Sequence, residues 1–147
     1  MIWLFILLAF LAGAVLPVQT GVNSRLAGTV GHPMLASLIS FVVGTLALCV
    51  YTLALRVPLP QMSELSQAPF WIWLGGMLGA FFIATTTTLA SKISATVLVG
   101  LIIAGQLIVA VFLVHFGLLG FALHPINCWR IVGILLLIAG VFLIKQF

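Results

Sequence analysis

Apolar residues run along the chain in five long blocks, interrupted at four places by polar or helix-breaking residues. The blocks cover approximately residues 2–24, 33–55, 70–90, 95–115 and 127–145, and the breaks read SRLAGTVGHP, RVPLPQMSELSQAP, SKIS and FGLLGFALHPIN. Each block is about 20 residues long, which is what a helix needs to cross roughly 30 Å of hydrocarbon. Helix is the expected state, because every backbone amide must find its partner inside the bilayer. A membrane β-strand would alternate with period two, and ILLLIAGVFLI shows no such alternation. The third break is so short that the third and fourth helices are expected to form a tight antiparallel hairpin. The pattern therefore predicts an all-α membrane protein, with five transmembrane helices in a single integral membrane domain over residues 1–147.

Composition agrees. Of 147 residues, 65% are hydrophobic and 4% charged, and no water-soluble globule of that size could hide so much apolar surface. The net charge of +4 comes from five cations spread singly along the chain. A nucleic-acid surface would cluster them, so no nucleic-acid partner is expected, and the cations read as markers of helix ends. The single acid, Glu64, lies in the longest polar loop and is expected in water. Residues 2–16 have the length of a signal-peptide core, but no basic stretch precedes them and Val15–Leu16–Pro17 makes a poor cleavage site. The first helix is expected to stay.

Five spans put the two ends of the chain on opposite sides of the membrane. Arg25, Lys92 and Lys145 then share one face, and Arg56 and Arg130 the other. Orientation follows a Lys/Arg excess on the cytoplasmic side, and an excess of one cation permits insertion both ways. Alternating-access folds are commonly two inverted repeats with the substrate site between them. One five-helix repeat supplies half of such a cavity, and the chain shows no internal duplication. An antiparallel homodimer would complete it, as would a homologous half-size subunit.

Polar residues inside the spans are the candidate chemistry. Pro17 removes an amide donor and frees a carbonyl near Gly13, which leaves a bare backbone for close approach. Gly13, Pro17 and Thr20 share a helix face, with Gln19 and Asn23 four residues apart on an adjacent one. A broken first helix bearing these amides suits a water-filled cavity; alternatively the amides lie near the headgroups and bond water or a neighbouring helix. Gln106 lies about mid-span in the fourth helix beside Gly105, and an unbonded amide facing lipid there costs a few kcal/mol. It is expected to face protein or a cavity.

Other features read as architecture. Gly75 and Gly79 form a small-residue face suited to helix packing. Thr85 to Thr88 can mostly bond the carbonyls of their own helix. Trp3, Trp71, Trp73 and Trp129 read as interface anchors. His115, at the end of the fourth helix, is a candidate for proton coupling or for capping carbonyls. Cys49 and Cys128 lie in separate segments, and with His124 they make no credible zinc set, so neither a metal nor another cofactor is expected. No acid/base pair or phosphate loop suggests an enzyme.

LPVQTGVNSRL, HPMLASLISFVVGTLAL, WIWLGGMLGAFF, IIAGQLIVAVFLVHFGLLG and WRIVGILLLIAGVFLI together resemble the drug/metabolite transporter superfamily. Specifically, they are similar to its half-size, five-helix YdcZ-like branch of bacterial inner-membrane exporters, almost from end to end. The resemblance implies one inverted-repeat half of a ten-helix transporter, multi-pass in the bacterial inner membrane. It also ranks Gln106 ahead of Gln19 as a site residue. It departs at Val114, where that branch usually carries an acid before the histidine of HFG. The expected function is transport of small organic molecules by alternating access in a dimer, with membrane lipid as the surrounding partner. The alternative is a non-transporting membrane subunit or the silent half of a heterodimer.

Overall fold

The structure, a computed structural model, describes residues 2–146. It contains α1 (Ile2–Val30), α2 (Pro33–Ala54), a short α3 (Met62–Gln67), a 3₁₀ turn (Phe70–Trp73) running into α4 (Leu74–Leu89), α5 (Ala95–Phe116) and α6 (Cys128–Gln146). Among the described residues there is no strand. Among the described residues, five helices are long and apolar enough to cross a membrane: α1, α2, the 3₁₀ turn with α4, α5 and α6, of 29, 22, 20, 22 and 19 residues.

The boundaries follow local chemistry. α1 runs on to Val30, past the break expected after residue 24, because LAGTV contains nothing that stops a helix. Thr29 returns its hydroxyl to the Arg25 carbonyl at 3.3 Å. The stop is Gly31, whose φ of 81° is the left-handed conformation that ends helices. His32 then caps α2, its Nδ1 accepting from the Met34 N–H at 3.2 Å, and Pro33 occupies the first helical position, where no donor is needed. The expected break of the first helix at Pro17 does not occur. α1 is continuous through that residue, as transmembrane helices tolerate a proline when surrounding groups can re-satisfy the freed carbonyl. In the longest loop, Glu64 closes α3 by accepting the Gln61 N–H at 3.1 Å.

The chain divides after Lys92 into two compact units. In the first, α1 packs on α2, and α4 packs on both. Its buried side chains are Asn23 of α1, Ala36 and Ser37 of α2, and Thr86 and Thr87 of α4. Asn23 lies in the last third of α1, Ala36 and Ser37 near the start of α2, and Thr86 and Thr87 near the end of α4, so burial in this unit gathers toward those ends. Further along, Gly79 of α4 meets the Phe41 ring of α2, an added Cβ lying 3.7 Å from it.

The second unit is the pair α5 and α6. Gly100 allows the closest approach: a Cβ there would lie 2.9 Å from Val141 Cγ2. α5 ends at Gly117, again left-handed at φ 62°. The segment that follows is fastened back onto the helices. His124 N–H donates to the Val114 carbonyl at 3.0 Å, and Ile126 N–H donates to His115 Nδ1 at 3.0 Å. Asn127 starts α6 by accepting the Arg130 N–H on its side-chain oxygen at 3.0 Å.

Candidate functional site

In the first unit the polar side chains of α2 and α4 that are bonded are bonded within their own helix. Ser37 donates to the Pro33 carbonyl at 3.0 Å, Thr86 to Ile83 at 3.2 Å and Thr88 to Ala84 at 2.7 Å. Two groups are left over: Asn23 Nδ2 and Thr87 Oγ1 are buried without a partner among the described residues. The local reason for Thr87 is visible, since the Ile83 carbonyl it would ordinarily reach already takes the Thr86 hydroxyl. Burying such a group unbonded costs about 1–3 kcal/mol. Both orphans can donate, so what is missing is an acceptor.

The other first-unit candidates are more open. Gln19 is half-buried with no side-chain hydrogen bond, and Gly13 is exposed, with nothing within 4 Å of an added Cβ. Thr20 is satisfied by the Leu16 carbonyl at 2.9 Å. In the same unit, α2 and α4 enclose a groove of about 580 Å³, lined by Ser37, Phe41, Phe81 and Thr85 among others.

In the second unit Gln106 lies near the middle of α5, exposed, its side chain making no hydrogen bond among the described residues. Gly105 beside it is likewise exposed, with open space around it. His115 is half-buried, its ring edge-on to Phe116 with centroids 4.6 Å apart. Because its Nδ1 accepts from Ile126, the neutral ring carries its proton on Nε2. Arg130 Nη1 donates to the His124 carbonyl at 2.9 Å. Cys49 and Cys128 are free and exposed. Among the described residues, no three His, Cys, Asp or Glu side chains gather.

Thr87 is the residue that sequence reasoning passed over. Its signal was the unbroken TTTT run, in which neighbouring hydroxyls compete for the carbonyls one turn back.

Residues 4–143 match the model of the family described as "Putative inner membrane exporter, YdcZ". No curated protein and no solved structure matches the chain.

Proposed function

From the premise that this chain belongs to the YdcZ family of inner membrane exporters and crosses that membrane several times, we propose that it exports small organic molecules by alternating access, as a dimer of five-helix halves. The observation that carries the reading is Gln106, an exposed amide near the middle of a membrane-spanning helix with no hydrogen bond. In hydrocarbon such a group is short of several kcal/mol of bonding. A water-filled cavity shared with a second chain supplies it.

Within the first unit Asn23 and Thr87 are unpaired donors, and α1 offers the half-buried Gln19 and the bare Gly13; within the second, Gly105 leaves bare backbone beside Gln106 where a substrate could approach. The second chain is an antiparallel copy, permitted by the near-balance of cations on the two faces, or a homologous half-size subunit. Amides and hydroxyls among apolar walls suit lipophilic or weakly polar molecules. On this reading the family relation extends to the drug/metabolite transporter superfamily. Proton coupling would fall to His115, where a proton at Nδ1 would remove one of the bonds that fasten the segment after α5, the one from the Ile126 N–H.

Gln106→Leu tests the proposal, because leucine is of similar size and suits the bilayer. A cavity role predicts a stable protein that loses or redirects flux of a dye panel (cationic, anionic and uncharged) in proteoliposomes. An interhelical role predicts a loss of about 0.6–2 kcal/mol in stability with flux per folded molecule intact. Unchanged flux in a stable variant removes Gln106 from the site. Absence of flux for the whole panel in the unmodified protein favours the non-transporting subunit, a reading helped by the lack of any acid within the spans. Labelling one engineered cysteine from both sides of the membrane supports the antiparallel homodimer; labelling from one side only eliminates it.

A further inference from the structure

We propose that the groove between α5 and α6 binds amphipathic monoanions, with Arg130 as the anchor for the charged head. The groove has a volume of about 400 Å³, and its walls include Leu107, Val111, Val114, Gly133 and Ile134. Arg130 is the one charged residue lining it.

Three observations define the ligand. First, the guanidinium is held in place: Nη1 donates to the His124 carbonyl at 2.9 Å, while the Arg130 backbone N–H is engaged by Asn127. A guanidinium has several further N–H donors, and no other side-chain bond from Arg130 occurs among the described residues. Second, the residue is half-buried with apolar walls beside it, so an anion bound there would be partly shielded from water and held more strongly than at an open surface. Third, no carboxylate side chain competes for it within its unit, because the only acid of the chain is Glu64.

The planar fork of an arginine favours carboxylate, sulfonate or phosphate oxygens. The head therefore bonds Arg130 and an apolar body lies along the α5/α6 walls. Gly133 leaves the floor open, with nothing within 4 Å of an added Cβ. A second α5/α6 groove, of about 400 Å³, ends at Lys145. That lysine is exposed and makes no side-chain hydrogen bond among the described residues, unlike Arg130. The proposal is independent of transport, since binding is measured without flux.

The same head chemistry belongs to a phospholipid and to a soluble organic anion, and the test separates them. The full chain in phosphatidylcholine nanodiscs is dialysed against naphthalene-2-sulfonate and, as the matched cation, 2-naphthylmethylammonium, with protein-free discs as blanks. The sulfonate is expected to bind at least about tenfold tighter than the ammonium. Arg130→Gln should bring it down to the level of the ammonium. Gly133→Leu fills the groove and leaves the Arg130–His124 bond in place, so it should weaken the sulfonate about tenfold even if Arg130→Gln disturbs folding. Discs doped with phosphatidylglycerol identify the occupant: displacement of the sulfonate points to a lipid headgroup, and undiminished binding points to a soluble anion. No binding, equal binding of sulfonate and ammonium, or sulfonate binding that survives either variant in folded form overturns the proposal.

Discussion

Gly100 offers the sharpest test of how α5 and α6 hold together. A β-carbon at that position would lie 2.9 and 3.2 Å from the two Val141 methyls and 3.5 Å from the Val141 Cβ. Valine is stiff at χ1, so its methyls cannot swing away, and α6 must move instead. Overpacking of this kind costs about 1–3 kcal/mol. Against it stands the helix gain of alanine over glycine, about 0.5–1 kcal/mol. Gly100→Ala should thus lose about 1 kcal/mol net, lowering the melting temperature by about 2–4 °C for a chain of this size. Gly105→Ala on the same helix is the control, since its Cβ meets nothing within 4 Å and it collects only the helix gain. Thermal unfolding of both variants in one detergent gives the difference. Val141→Ala removes the offending methyls and should cost less in the Gly100→Ala background than in the natural one. If Gly100→Ala is as stable as Gly105→Ala, the close approach of the two helices is wrong.

Two further outcomes follow from the hydrogen bonds. Thr87→Val keeps the shape and deletes an unpaired buried hydroxyl, so the protein should gain about 1–2 kcal/mol in thermal unfolding; a loss would mean that the hydroxyl has a partner in the assembled protein. His115→Ala removes the acceptor of the Ile126 N–H, and exchange of that amide should quicken about fivefold, the equivalent of roughly 1 kcal/mol. Unchanged exchange would show that the segment after α5 is held by its other bonds.

The spans were legible because length and composition alone decide them in lipid. Their ends were less so. α1 overran its expected end because Arg25, a single exposed cation, does not stop a helix. The real stop is backbone conformation at Gly31, followed by the cap His32 and by Pro33. Those three letters stood in the sequence as GHP, but their division of labour appears only once φ and the His32 ring orientation are known. The cap of α3 was written more openly, as glutamine and glutamate three residues apart. Pro17 misled in the other direction: a missing donor is certain from the sequence, whereas a break in the helix depends on what surrounds it.

The candidate site was legible as residue types and hidden as partnerships. Asn23, Gln19 and Gln106 announce themselves as amides in apolar runs, but whether each is satisfied depends on neighbours many residues away. His115 pairs with an amide eleven positions on, and Thr87 is orphaned by the choice its neighbour Thr86 makes. The deeper reason lies in the solvent. In water, apolar periodicity reveals which face of a helix is inward; in lipid, apolar side chains gain little by turning inward, and small or polar residues take the helix contacts instead. The buried residues obey this, for four of the seven among the described residues are polar: Asn23, Ser37, Thr86 and Thr87. The remaining three include two alanines, small enough to let helices touch. Polar residues therefore report facing more often than apolar ones do, but not always: Thr45 of α2 is exposed, and so is Gln106. It has the chemistry of an inward residue and the exposure of an outward one. That mismatch asks for a bonding partner beyond α5 and α6, which is what the proposed cavity would provide.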